Sequence, residues 1–360
     1  MKKLDWLQAL RGIAALMVLL FHLAPHWERV PGLWRFVPAM QWGFSGVDVF
    51  FALSGFVVYL SAKKSVDSQN IAQFAARRSL RIFFGYWPAL ALLALVSTWV
   101  LEQPLPTTEK MLRSIFLTYP YVQDNWLGPA WSLTFELYFY AWIIAIVYFA
   151  RTNAVRAIAW TICAVTVWNI GWVLIQPVTV AKGLMPLRFT LTGQGVEFLL
   201  GSLLAEAYHR WGSRMSAWKI LGPLGVALVL MGFGVGTLSI WFDRVEILRA
   251  GTFGMVGTGL LIVALSLIQA GVKAPAWLVR IGDASFSLYL LHTIVLDVAG
   301  KYRRELSIEE TPYLLAWALA VPVVVVLLSL LWFHLVEFPL MRLLDRSTRR
   351  RAVASVARVP

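Results

Sequence analysis

The feature that most constrains this sequence is the recurrence of runs of about 20 predominantly apolar residues. A helix rising about 1.5 Å per residue needs about 20 residues to cross roughly 30 Å of hydrocarbon. In lipid, only helices and closed barrels satisfy their backbone polar groups. Barrel strands would alternate polar and apolar residues, whereas these runs are apolar on all sides. Composition agrees. Of the 360 residues, 59% are hydrophobic and 14% charged, against about 25% charged in a soluble domain. The expected fold class is an all-α polytopic membrane protein.

Ten spans are predicted, at about 7–26, 43–62, 82–101, 129–149, 157–176, 190–208, 220–241, 250–270, 284–300 and 313–335. Lys2 and Lys3 ahead of an apolar run resemble the start of a signal peptide. Arg11 and His22 interrupt that run, however, and no A-x-A cleavage site follows, so it is read as the first span. Ten crossings put both termini on one side. That side holds most of the 32 Lys and Arg, among them Lys63, Lys64, Arg77, Arg78, Arg81, Arg151, Arg156 and Arg210; Arg29, Arg35, Arg113, Arg249 and Lys301 fall on the other. The positive-inside rule makes the richer side cytoplasmic. The net charge of +13 is then an orientation signal, and no nucleic-acid partner is expected. Residues 1–340 are read as a single transmembrane domain. Residues 341–360, with Arg342, Arg346, Arg349, Arg350 and Arg351, are read as a basic tail on the anionic cytoplasmic leaflet. The single Cys163 cannot form an intrachain disulfide and gives no compartment information.

Charged side chains are costly inside a bilayer and mark functional sites by default. Arg11, His22, Asp48, Glu136, Glu197, His292 and Asp297 all fall in predicted spans. Arg11 and His22 are the sharpest pair: eleven residues apart, they share one helix face about 16 Å apart along the axis. That face has an anion-binding end and an acid–base end. The plainer alternative is a snorkelling arginine and a histidine bonded to a neighbouring helix. His26 lies one turn past His22, but Pro25 disturbs the geometry and no third ligand is evident, so no metal site is expected. Asp48, in a segment rich in small residues (Gly43, Gly46, Ser54, Gly55), faces the bundle interior and is expected to pair with Arg11 or hold His22, either as a catalytic group or as a structural ion pair. Glu136 lies four residues after Ser132, with structural and functional roles both open. Arg77, Arg78 and Arg81 cluster before the third span at helical spacing. Guanidinium forks of this kind grip phosphates; the plain alternative is a positive-inside anchor. His292 and Asp297 spell H-x4-D, but five residues on a helix turn about 500° and separate the two, so the string is discounted; His292 is read as packing, with a place in the cavity lining as the alternative. Glu197 is read as structural, and the glycine run 251–260 as helix packing. No H-E-x-x-H, C-x-x-C, Walker A or G-x-S-x-G motif occurs, which excludes the chemistries those motifs carry.

Taken together, LQALRGIAALMVLLFHL, GVDVFFALSGFVV, FAARRSLRI, PAWSLTFELYFY and ASFSLYLLHTIVL resemble, in order and spacing, the linked motifs of the membrane acyltransferase-3 family. The first is most similar to the exopolysaccharide acetyltransferase branch. Two departures stand out. Phe83, Phe84 and Gly85 follow the R-I of the arginine segment, where the family often has proline. Gln8 stands where some branches have aspartate, and Asp5 is not equivalent. A C-terminal SGNH domain, present in some relatives, is not expected here.

The resemblance implies a multi-pass protein of the bacterial cytoplasmic membrane. It would move an acyl group, usually acetyl, from cytoplasmic acyl-coenzyme A to a hydroxyl of an exported glycan or its lipid-linked precursor. Acyl-coenzyme A is then a co-substrate, with no permanently bound cofactor. Arg77, Arg78, Arg81 and Arg11 are the expected phosphate clamps. His22 is the expected general base, with Asp48 or Glu136 orienting it or stabilising its charged form. Direct transfer and an acyl-histidine intermediate both stay open. So do a succinyl donor, a small-molecule acceptor, a glycolipid flippase, a structural subunit, and association with a second copy or a polysaccharide-assembly complex.

Overall fold

The computed structural model describes residues 4–68, 70–118, 125–175, 192–211, 215–241 and 249–346, and no strand occurs among them. Ten long helices follow one another: α1 (Asp5–Trp27), α2 (Gly46–Asp67), α3 (Ile71–Trp99), α4 (Trp131–Ala150), α5 (Ala154–Ile175), α6 (Gly193–Trp211), α7 (Met215–Trp241), α8 (Phe253–Gln269), α9 (Ser285–Glu305) and α10 (Thr311–Trp332). Each coincides with one predicted segment. Among the described residues six helical stretches are long and apolar enough to cross a bilayer, or seven if the short helix Ala276–Asp283 and α9 count as one bent span. One of the six, Gly128–Gly171, contains both α4 and α5; they meet at Arg151, whose φ is +41°. Two long helices fall short for identifiable reasons. α6 carries Glu197, Glu206 and Arg210, and α8 is 17 residues long. Of the predicted basic tail, Arg349, Arg350 and Arg351 lie outside the described residues, as do Lys2 and Lys3.

α3 starts at Ile71, eleven residues ahead of the predicted 82. The added turns, IAQFAARRSLR, contain no Gly or Pro and are rich in the helix formers Ala and Arg. Their polarity hid them from a search for apolar runs. A second correction concerns the connection after α3, which holds the helix Thr108–Phe116. Thr107 caps it by accepting from the Lys110 N–H, and Leu117 closes it in the left-handed region. It is docked by Tyr86 Oη and Trp87 Nε1, which donate to the carbonyls of Ser114 (2.9 Å) and Ile115 (3.0 Å).

Two packed units divide the chain: residues 1–18, 42–71 and 138–283 form one, and 19–41, 72–137 and 284–360 the other. In the first, α2 and α6 cross at backbone contact. A Cβ on Gly55 would overlap the Phe198 carbonyl, and one on Gly201 the Ala52 carbonyl. Small residues are required at such a crossing. Ser202 Oγ sits there within reach of the Gly55 and Phe198 carbonyls (3.2 and 3.1 Å). α8 packs on α2, α6 and α7. In the second unit α9 packs on α10, and Val30, Leu314 and Ala318 form a buried cluster. Trp27 Nε1 closes it by donating to the Ala318 carbonyl at 3.2 Å.

Candidate functional site

In the second unit, the C-terminal turns of α1 and the middle of α9 bring two histidines together. His22 Nδ1 and His292 Nε2 are 3.2 Å apart, with the rings edge to face at 4.6 Å. His292 is 1% exposed, and its Nδ1 lies 3.2 Å from the Leu288 carbonyl, one turn back on α9. A carbonyl only accepts, so Nδ1 of His292 carries the hydrogen. The neutral ring then has a bare Nε2, which accepts from Nδ1–H of His22. When His22 is also neutral, its unprotonated nitrogen is Nε2. One carbonyl thus fixes both tautomers through a chain of two hydrogen bonds.

Around His292, α9 is held on two of its faces. The Ser132 and Tyr289 hydroxyls are 2.8 Å apart and lie 3.1 and 3.0 Å from the Pro129 carbonyl. Ser287 Oγ donates to Glu337 Oε2 at 2.5 Å, where Glu337 ends a π-helical turn at Phe333–Glu337. π-turns recur at functional sites. Glu136 is half-buried on α4, one turn after Ser132.

Arg77, Arg78 and Arg81 lie within α3, not in a loop before it. Arg78 stacks over Phe74 at 5.7 Å. Arg77 Nε is buried with no hydrogen-bond partner among the described residues. Arg11 is half-buried on α1, three turns before His22 on the same helix.

In the first unit Asp48 is fully buried, and its carboxylate is bound at both oxygens by Arg249 Nε (2.7 Å) and Nη2 (2.9 Å). The expected partners were Arg11 and His22. Arg249 reaches Asp48 because its segment folds inward just before α8, and its guanidinium also covers the Phe44 ring at 5.4 Å. Nothing in the sequence signals this pair, because Arg249 falls between the predicted spans 220–241 and 250–270. Glu197 is fully buried in the same unit, with Gly254 against its side chain. Farther along α2 and α6, Glu206 binds Tyr59 Oη (2.9 Å), Lys63 Nζ (2.8 Å) and Arg210 Nε (2.6 Å). Gln8 Nε2 donates to Asp283 Oδ1 at 2.8 Å.

Two site residues escaped the sequence reading. The sequence places His292 inside a predicted span, but His22, His26 and His334 also fall inside predicted spans, so histidine content alone does not single it out. Tyr289, one turn before it, carried no signal.

The acyltransferase-3 family model, described as an acyltransferase domain, matches residues 4–349. The exopolysaccharide production protein ExoZ of Rhizobium meliloti (strain 1021) is 29% identical over 324 residues, covering 88% of this chain and 94% of its own. The acyltransferase MdmB of Streptomyces mycarofaciens is 27% identical, covering 98% and 95%. A putative O-acetyltransferase of Staphylococcus aureus (strain COL) is 24% identical, covering 84% of this chain and 52% of its own. No solved structure matches.

Proposed function

We propose, from the premise that this chain belongs to the acyltransferase-3 family, that it transfers an acyl group, acetyl foremost, from cytoplasmic acyl-coenzyme A to a hydroxyl of an exported glycan or its lipid-linked precursor. The names of two relatives support the acceptor and the reaction: an exopolysaccharide production protein and a putative O-acetyltransferase. The protein works as a multi-pass component of the bacterial cytoplasmic membrane, with ten crossings and both termini cytoplasmic. Ten helices at the predicted positions and the bias of Lys and Arg support that topology.

The observation that carries the chemistry is the hydrogen bond between His22 and His292. With its tautomer fixed, His22 Nε2 takes the proton of the acceptor hydroxyl as its oxygen attacks the thioester carbonyl. The carbon–sulfur bond breaks, and the departing thiolate recovers the proton from His22. The products are an O-ester and free coenzyme A. His292 touches neither substrate and acts as a positioning residue, and Glu136 stabilises the imidazolium. The donor's phosphates are held by Arg77, Arg78 and Arg81, a role to which the unpartnered Nε of Arg77 lends support. Arg11 adds positive charge on the helix that carries the base. Asp48 acts indirectly, through its pair with Arg249.

The test is thioester turnover by the full chain in nanodiscs, with acetyl-coenzyme A and a crude glycolipid extract, following thiol release. Turnover in wild type that disappears in His22→Ala and falls in Arg11→Ala, with both variants folded, is the expected result. Undiminished turnover in His22→Ala would remove the assigned base. Absence of turnover alongside movement of labelled glycolipid across the bilayer would overturn the enzyme reading in favour of a flippase.

A further inference from the structure

One turn beyond the histidine pair lies a cleft of about 340 Å³, lined by the end of α1, the connection after α3 and the later turns of α9. His26 is four residues past His22, and Leu296 and Gly300 are four and eight past His292, steps of about 6 Å each. The two helices stay side by side there, since a Cβ on Gly300 would lie 3.9 Å from His26 Cε1.

Gly300 is informative. Glycine is a poor residue for a helix interior, and at Gly55 and Gly201 a touching backbone accounts for it. At Gly300 no such contact exists: the nearest atoms to an added Cβ are Arg304 Nη1 at 3.6 Å and His26 Cε1, both ordinary contacts. What the missing side chain leaves is space inside the cleft.

The lining fits a particular chemistry. Asp297 supplies a carboxylate, Arg304 a guanidinium and Gln103 an amide. Among the described residues these side chains make no hydrogen bond or ion pair. Lys301, also in the lining, is tied to the Val100 carbonyl (2.7 Å) and Glu102 (2.8 Å). Donors and acceptors are thus mixed, between apolar walls at Leu101 and Leu296. A sugar ring needs that mixture, because each hydroxyl both donates and accepts and the ring has an apolar face. A simple anion would meet the Asp297 carboxylate. The volume lies at the low end of small-molecule sites, roughly 300–1,000 Å³, and is too small for a whole coenzyme A.

We infer that this cleft is the subsite for the acceptor's terminal sugar, seating the ring one turn from His22 so that one hydroxyl faces that histidine. The assignment rests on the acyl-transfer reading for what then happens to that hydroxyl, but sugar binding itself does not depend on it. The probe is a short oligosaccharide from de-O-acetylated bacterial exopolysaccharide. Its binding to the full chain in nanodiscs without donor is followed by calorimetry and saturation-transfer NMR. Asp297→Asn should weaken binding about tenfold, the loss of one charge-assisted hydrogen bond. Gly300→Leu should abolish it, and Gly300→Ala should have a smaller effect. Thermal melting checks folding, and if Gly300→Leu does not fold, Asp297→Asn decides. Unchanged affinity in Asp297→Asn and Gly300→Leu overturns the inference, as does a wild type that binds inorganic phosphate at this cleft or no oligosaccharide at all. If wild type binds the oligosaccharide and Asp297→Asn weakens it, yet no thioester is cleaved, the subsite stands and acyl transfer falls. If turnover is normal and the acceptor KM is unmoved in both variants, acyl transfer stands and the subsite falls.

Discussion

At the scale of single residues, the decisive atoms are a backbone carbonyl and two imidazoles. Leu288 orients His292, which orients His22. Removing the acceptor that holds His22 Nδ1–H should cost rate without removing the base. His292→Ala is therefore expected to lower kcat roughly 10- to 100-fold, part of the 10²–10⁴ that a positioned general base contributes, while leaving the KM for acetyl-coenzyme A unmoved. His292→Gln, whose amide oxygen can accept the same hydrogen, should recover part of the loss. Equal kcat in His292→Ala and wild type would end the positioning role. The buried Asp48–Arg249 pair makes a second prediction. Arg249→Met strands a buried carboxylate and should destabilise by roughly 3–5 kcal/mol. Adding Asp48→Leu should restore most of that, because the uncompensated charge is gone. Thermal melts of the two variants in detergent measure both.

Elements decide what those residues can reach. The helical spacing of Arg77, Arg78 and Arg81 is legible in the sequence, and the structure extends α3 back to Ile71 so that all three lie within it. The connection after α3 is tied to α9 by Lys301, which holds Glu102. The hydrogen bond and charge of Lys301 keep the Glu102 carboxyl below its usual range. A carboxyl lowered on folding contributes stability above its unfolded pKa, and that contribution is lost as pH falls through the lower, folded value. The pair is solvent-exposed, so the effect is small. Glu102→Gln should melt slightly below wild type at pH 7, and the two curves should converge as the pH is lowered through the carboxylate range. A gap that stays constant from neutral to acid pH would assign the difference to something other than this ion pair.

For the whole molecule, the testable property is the crossing number. The chain has one cysteine, Cys163, so Cys163→Ser gives a clean background for single-cysteine labelling in intact cells. With ten crossings, Glu102→Cys and Glu309→Cys should react with an impermeant maleimide from outside, whereas Ser68→Cys and Lys273→Cys should not. Labelling of Lys273→Cys from outside would mean that an odd number of crossings, not the proposed even number, precedes it. Each of the ten long helices among the described residues overlaps a predicted apolar segment, because a long apolar run is favoured in lipid whatever the helix packs against; α6 and α8 carry such a run only in part. The nine-residue helix Thr108–Phe116 was not legible in the sequence, since a helix that short depends on its docking to α3 rather than on its own composition.

Sequence by itself determined the class, the approximate places of the long helices and the Arg11–His22 register, all of which follow from local hydropathy and from 3.6 residues per turn. It also supplied the linked motifs that identify the family. Pairings between distant segments were decided by the tertiary structure: Asp48 with Arg249, Glu206 with Lys63 and Tyr59, Gln8 with Asp283, His22 with His292. The reason is physical. A buried charge or imidazole must find a partner, but the sequence states only the need. Which of several candidates meets it depends on how the helices cross, and those crossings are set by packing among residues hundreds of positions apart.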